Sequence, residues 1–210
     1  QILKPKTMSL QKNQIKKGGA FLIEETRPDD VFTPEDFSEE QLMMKSTLQD
    51  FIDREVWPHK HRFENKDYEF TKSLMKQAGE MGFLGVAVPE QYGGLGMDFV
   101  STMLVCDYIS GASGSLSTAF GAHTGIGTLP ITLYGTEEQK AKYVPKLASG
   151  EWFGAYCLTE PGAGSDANSG KTKAVLSEAG DHYRISGQKM WISNAGFANL
   201  FVVFARIEDD

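Results

Sequence analysis

Cysteine is scarce in this sequence, and long apolar runs are missing. Cys106 and Cys157 are the only two cysteines among 210 residues. Because both lie in apolar stretches, we predict no disulfide framework and a reducing compartment. No apolar stretch approaches the ~20 residues that span a bilayer, and no secretory h-region is visible, so we expect no transmembrane segment. The net charge of −7 argues against nucleic acid as a main partner.

Several common catalytic motifs are also missing. No cluster of His, Cys, Asp and Glu has metal-ligand spacing, and no nucleophile elbow or triad pattern occurs, so we predict no metal site. His59 and His61 are two positions apart on a predicted helix and cannot share a face. His123 lies in a run of small residues, where we interpret it as a helix-packing residue rather than a catalytic group.

Residues 1–37 are predicted to form an N-terminal arm and linker. Residues 1–23 contain lysines but no acid, whereas residues 24–40 are strongly acidic with Arg27 as their only basic residue. A solvated arm explains this pattern, and so does an arm that docks on a partner subunit or an anionic surface.

Helix signals dominate residues 38–150. Ser38 and Gln41 form a capping box at the start of the first helix, and Trp57-Pro58 marks its end or a kink. Later helices are predicted over Thr71–Met81, about Val100–Ser110, Ser117–Ile126, and from the second capping box of Thr136 and Gln139 to Gly150, with Pro145 expected to disturb the last of them.

The composition changes after Gly150. Residues 152–207 contain short runs rich in aromatic and β-branched residues, separated by Gly, Asp, Asn and Ser, which is typical of strands. We therefore predict an α+β chain, with an all-α helical domain over 38–150 and the first strands of a β-barrel domain over 151–210. Asp210 directly follows an apolar strand with an open edge, so we expect the β-domain to be incomplete and the native chain to continue.

The segment AYCLTEPGAGSD, residues 155–166, is the first that indicates chemistry. It predicts a strand running into a tight turn whose glycines let backbone N–H groups lie close to a ligand. Successive N–H groups and a serine hydroxyl can hold an anion. An ordinary hairpin turn accounts for the same residues. The segment is neither a Walker loop nor a dinucleotide-binding GxGxxG motif.

The segment GQKMWISNAG, residues 187–196, is the second segment that indicates chemistry. Interpreted as a strand, it places Trp191 and Ser193 on one face. An indole beside a hydroxyl suits a flat ring system with polar edges. A tryptophan in a barrel core is the alternative.

In this order and at this spacing, CLTEPGAGSD and GQKMWISN resemble the paired signature of the acyl-CoA dehydrogenases. The resemblance extends to VPEQYGGLG (88–96) and GTEEQKAKYVPKLASGE (135–151), and so covers nearly the whole chain from Ser38. The stretch STAFGAHTGIG looks most like the very-long-chain branch. The resemblance implies that the helical bundle that ends such proteins is missing from this chain.

The resemblance implies FAD as cofactor. Thr159 is expected to hydrogen-bond the isoalloxazine edge, and Gly164 and Ser165 to lie near the pyrophosphate, with Ser165 also near the substrate thioester. Trp191 is expected to pack on the isoalloxazine, and Ser193, where many relatives have Thr, to bond near flavin N5. The implied cofactor-binding set is Tyr156, Cys157, Leu158, Thr159, Gly164, Ser165, Trp191, Ile192 and Ser193.

The implied reaction is α,β-dehydrogenation of a fatty acyl-CoA thioester, with electrons passed to an electron-transferring flavoprotein. The general base of the family is a Glu, which we expect beyond Asp210, so this chain would contain no catalytic residue and would be inactive alone; Glu160 belongs to the turn and is not the base. Other implied properties are a homodimer or homotetramer, located in the cytoplasm if bacterial or in the mitochondrial matrix if eukaryotic. Alternatives are an acyl-CoA oxidase, a nitroalkane-oxidase-like flavoenzyme, or a non-catalytic member acting in assembly or binding.

Overall fold

The computed structural model describes residues 15–207, apart from the side chain of Glu64. Its contacts divide the chain into two compact units, Gln1–Met44 and Lys45–Asp210. Much of the predicted basic arm and the expected open edge at Asp210 lie outside the described residues. In the first unit, 3-10 turns precede helix α1 (Glu39–Phe51); they cover Ala20–Leu22, Pro28–Asp30 and Pro34–Asp36.

Helix α1 begins at the predicted capping box. Ser38 N donates to Gln41 Oε1 at 3.0 Å, and Gln41 N donates to Ser38 Oγ at 3.2 Å. After α1 the chain winds into a π-helical turn, Ile52–Val56, and then into a 3-10 turn, Trp57–His59. This 3-10 turn confirms the predicted break at Trp57-Pro58, and its cause is that proline has no N–H for a helical hydrogen bond.

The predicted helices occur in the predicted order, with small differences at their ends, and one short helix, Leu129–Tyr134, was not predicted. The stretch predicted as one helix over Ser117–Ile126 is an α-helix that ends at Gly121 and continues as a π-helical turn. Pro145 does not end its helix, which runs on to Ala148. The elements are α2 (Lys60–Glu64), α3 (Tyr68–Glu80), α4 (Phe99–Ala112), α5 (Gly114–Gly121), the π-helical turn Ala122–Thr128, α6 (Leu129–Tyr134) and α7 (Glu137–Ala148).

Side chains from these helices and from the 3-10 turn Phe83–Gly85 form the apolar core of the second unit. Burying one leucine or methionine stabilises the fold by about 1.5–3 kcal/mol. The core therefore gives the strands a fixed support. Its fully buried members include Leu48, Leu74, Met75, Leu84, Ile109, Leu116 and Leu147.

Strands begin after the helices, as the change in composition predicts. Strand β1 (Gly154–Cys157) pairs in parallel with β4 (Leu200–Val203). Strand β2 (Lys173–Leu176) pairs antiparallel with β3 (Tyr183–Ser186) and parallel with β5 (Arg206–Ile207). The order of a helical region followed by strands is confirmed.

One predicted strand is wrong. The segment from Gly187 to Gly196 contains bends and turns, and its residues Trp191 and Asn194 have φ values of +61° and +66°. A strand needs negative φ at every residue, so the alternation of apolar and polar residues here does not reflect strand geometry.

Strand β1 packs directly on the π-helical turn. A Cβ atom added to Gly127 would lie 2.9 Å from the carbonyl carbon of Gly154, and one added to Gly154 would lie 3.0 Å from Gly127 Cα. Because glycine has no side chain, the two backbones touch directly at these positions.

Candidate functional site

The first signature segment leaves β1 and closes into a tight turn. Glu160 and Ala163 exchange two backbone hydrogen bonds, of 3.0 and 3.1 Å, across Pro161 and Gly162. Gly164 and Ser165 follow on the exposed outer side of the turn. A Cβ built on Gly164 would meet nothing within 4 Å, so the space beside this backbone is open.

Glu160 is buried in the turn and fully engaged. Its carboxylate accepts hydrogen bonds from Lys171 N at 2.5 Å, Thr172 N at 2.9 Å and Lys189 Nζ at 2.8 Å. The Lys171 amide, together with the lysine and Thr172, holds the pKa of this carboxyl far below its ordinary value. Such a carboxylate stays ionised and is a weak proton acceptor.

The second signature segment lies beside the first. Met190 N donates to Thr159 O at 2.9 Å, and Lys189 Nζ donates to Leu158 O at 3.0 Å. The residue that follows is Trp191, whose side chain is 84% exposed. The two motifs are separate in sequence but adjacent in the structure, where they form one surface with the exposed Trp191 at its edge.

Asn194 anchors this segment to the rest of the unit. Its Nδ2 donates to Ala119 O on α5 at 2.9 Å and to Gly154 O on β1 at 3.3 Å. This role of Asn194 was not predicted from the sequence. A signal was available, since asparagine adopts positive φ more readily than most residues and lies here in the turn-like sequence SNAG.

His123, on the π-helical turn, joins the helices to β1. Its Nδ1 accepts a hydrogen bond from Gly154 N at 3.0 Å, and its Nε2 donates to Leu147 O at 3.0 Å. Burial lowers the pKa of the imidazole to about 4, so the ring is neutral at pH 7. The interpretation of His123 as a packing residue is confirmed, and the bonds show that it also fixes backbone positions.

The other predicted site residues lie along the same strand and loop. Tyr156 is half-buried, with its ring centroid 4.9 Å from that of Phe204. Cys157 is buried, which raises the pKa of its thiol. Leu158 and Ile192 are half-buried.

A cleft of about 740 Å³ opens between the second segment and the helices. Ser193, Asn194 and Phe197 form one wall. The opposite wall was not predicted, because hydroxyl and small residues on helices form no recognisable motif. That wall includes Ala112, Ser113, Ser115, Thr118 and Ala119, with Lys60, Lys66 and Tyr68 among the other lining residues.

The surface formed by the two segments fits a flat ring with a polar edge. Trp191 is 84% exposed, the hydroxyl residues Thr159 and Ser193 are half-buried nearby in the two segments, and the space beside the Gly164 backbone is open. An indole face stacks on a heteroaromatic ring, and free N–H groups beside a hydroxyl suit a phosphate. The residues present therefore fit a flavin nucleotide.

Neither a metal site nor a membrane-spanning helix occurs within residues 15–207. No group of three or more His, Cys, Asp or Glu residues gathers there as metal ligands. None of the helices in this range has the length and apolarity needed to cross a membrane.

Comparison with known proteins gives consistent matches. Residues 38–151 match the acyl-CoA dehydrogenase N-terminal domain, and residues 155–210 match the acyl-CoA dehydrogenase middle domain. A probable acyl-CoA dehydrogenase of Bacillus subtilis (strain 168) is 51% identical over 203 residues, which cover 97% of this chain and 34% of that protein. The crystal structure of an acyl-CoA dehydrogenase complexed with FAD from Bacillus anthracis is 50% identical with a TM-score of 0.87, over 93% of this chain and 33% of that one.

The mitochondrial isovaleryl-CoA dehydrogenase of Bos taurus is 38% identical over 172 residues, which cover 81% of this chain and 40% of that protein. Relatives named for their substrates include isovaleryl-CoA, glutaryl-CoA and short-chain enzymes, so the very-long-chain placement is not supported. The chain spans about a third of the length of the Bacillus subtilis and Bacillus anthracis proteins described above. Since the N-terminal domain match alone covers more than half of its residues, the chain belongs to the acyl-CoA dehydrogenase family.

Proposed function

We propose that this chain provides the flavin-facing strand and loop, and one wall of the acyl cleft, of an FAD-dependent acyl-CoA dehydrogenase. The observation that carries the proposal is the contact between the two signature segments, where Met190 N donates to Thr159 O beside the exposed Trp191. In this proposal residues 1–37 are an arm, 38–150 the helical domain and 151–210 part of the β-domain.

The proposed roles follow from position. Trp191 stacks on the isoalloxazine ring, while Thr159 and Ser193 donate hydrogen bonds to its polar edge. Gly164 and Ser165 bind the pyrophosphate through open backbone and hydroxyl, and Ser165 also lies near the thioester. The remaining contacts come from Tyr156, Cys157, Leu158 and Ile192.

FAD, when bound, supplies the acceptor for the hydride that leaves the acyl β-carbon. The residues of this chain hold the ring, exclude water from it and place hydroxyl donors where negative charge develops. Proton removal from the α-carbon needs a base, and Glu160 is unsuited to that task because its carboxylate is occupied by three donors. We assign the base to a Glu outside this chain.

The wider proposal is the first step of fatty acid β-oxidation. The substrate is a fatty acyl-CoA, an electron-transferring flavoprotein takes the electrons, and the protein is a homodimer or homotetramer. It acts in the cytoplasm of a bacterium or in the mitochondrial matrix of a eukaryote.

Tryptophan fluorescence during FAD titration tests the site directly. Since the chain spans about a third of the length of the relatives compared, we expect weak but saturable quenching in the parent protein and in Trp57→Phe, a matched control that removes another exposed indole. Trp191→Phe should lose most of the quenching, because the stacked donor is gone. The absence of saturable quenching in the parent, or its full persistence in Trp191→Phe, would contradict the proposal.

A further inference from the structure

A buried ion pair joins the two signature segments. Lys189 Nζ lies 2.8 Å from Glu160 Oε1, and the two side chains are only 13% and 7% exposed. Most other ion pairs among residues 15–207 are considerably more exposed. Lys146 and Glu151, for example, lie 3.0 Å apart with 38% and 59% exposure.

Stability alone does not explain such a pair. Removing two charges from water costs about as much as their attraction returns, so well-packed apolar residues often serve a fold equally well. What the pair adds is a fixed position for the backbone on either side of it. Glu160 also accepts two backbone N–H groups, and Lys189 also donates to Leu158 O, so each charge fixes the position of the chain around it.

The fixed backbone matters because two of the proposed flavin contacts lie next to the pair. Thr159 precedes Glu160, and Trp191 follows Lys189 by two residues. The Trp191 side chain is 84% exposed, so few packing contacts fix its orientation. Its backbone has a φ of +61°, a conformation that an aromatic residue adopts only when neighbouring contacts impose it. The nearest such contacts are those of Lys189 and Met190 with Leu158 and Thr159.

We propose that Glu160 and Lys189 are positioning residues, which lock the two segments in register so that Thr159 and Trp191 face one and the same flavin ring. This inference rests on the proposed FAD site. It assigns Glu160 a role distinct from proton transfer, and Lys189 a role distinct from binding the anionic cofactor.

The test compares Glu160→Gln, Lys189→Met and Lys189→Arg with the parent. Glu151→Gln is the matched control, because it breaks an exposed lysine–glutamate pair of similar length. For each variant, the FAD Kd and the visible circular dichroism of bound flavin are measured, with far-UV circular dichroism and the urea midpoint recorded without FAD. Visible circular dichroism reports how the ring is held, and a merely structural role would not change it.

We expect Glu160→Gln and Lys189→Met to raise the FAD Kd about tenfold and to alter the visible spectrum, since coupled neighbours contribute on that scale. Lys189→Arg should recover part of both effects, and Glu151→Gln should match the parent. Parent Kd and parent spectrum in both Glu160→Gln and Lys189→Met would overturn the inference. A lowered urea midpoint with an unchanged flavin spectrum would do the same, because it would make the pair structural only.

If one variant fails to fold, the other two still decide the question. Should the parent bind no FAD, the proposed function fails, and the positioning role is then measured without flavin. In a Trp57→Phe, Trp152→Phe background the remaining Trp191 reports by fluorescence anisotropy. Glu160→Gln should lower that anisotropy, and an unchanged value would refute the positioning role independently.

Discussion

Acidification removes the stabilising effect of His123, and the structure gives the size of that effect. The ring is fully buried, and its pKa falls from 6.5 to about 4 on folding. Between these two values the unfolded chain binds a proton that the folded chain does not, so the free energy of unfolding decreases as the pH falls. Each unit of pKa shift corresponds to 1.36 kcal/mol, so the loss is about 3 kcal/mol by pH 4. Above pH 6.5 the contribution is fully present.

The assay is urea unfolding followed by far-UV circular dichroism between pH 7 and pH 4, in the parent and in His123→Gln. Glutamine has a donor and an acceptor but no titratable ring. Carboxylates that titrate near pH 4 affect both proteins equally, so the difference between their free energies isolates the histidine. We expect the parent to lose about 3 kcal/mol more than the variant over this range. Parallel pH curves for the two proteins would refute the reasoning.

Two further substitutions test the contacts that hold the site. Asn194→Ala removes two hydrogen bonds to backbone carbonyls at a residue with φ of +66°, so we expect a loss of about 2–4 kcal/mol in urea unfolding. Asn194→Asp should lose at least as much, because a carboxylate has no N–H to donate and its oxygens would face the same two carbonyl oxygens; a loss below about 0.5 kcal/mol for Asn194→Ala would contradict the assignment. Gly127→Ala places a Cβ 2.9 Å from Gly154, and we expect the thermal midpoint to drop by an amount equivalent to about 1–3 kcal/mol. Gly121→Ala is its control, because a Cβ there meets nothing, and equal midpoints for the two variants would count against the close contact.

Local signals in the sequence were sufficient for the helices. The capping boxes at Ser38 and Thr136 were predicted correctly because both partners lie three residues apart and need no tertiary contact. The same holds for the break at Pro58, where the cause is covalent.

Distant contacts explain what the sequence could not provide. Trp191 was placed on a strand because its neighbours alternate, but its conformation depends on Lys189 reaching residues 158 and 160. His123 bonds Leu147 and Gly154, which are 24 and 31 positions away. Sequence periodicity gives no signal for contacts at such separations, so the motifs predicted the site residues but not the contacts that support them.

The contact between Gly127 and Gly154 has a consequence for engineering. Where two backbones touch, no side chain remains that could shrink, rotate or otherwise absorb a change. Asn194 links the cleft wall on α5 directly to strand β1, and the π-helical turn that continues α5 touches β1 through Gly127. If the cleft holds the acyl group, as proposed, enlarging it at Thr118 or Ala119 is expected to shift strand β1 as well, so that cofactor retention would change together with substrate choice.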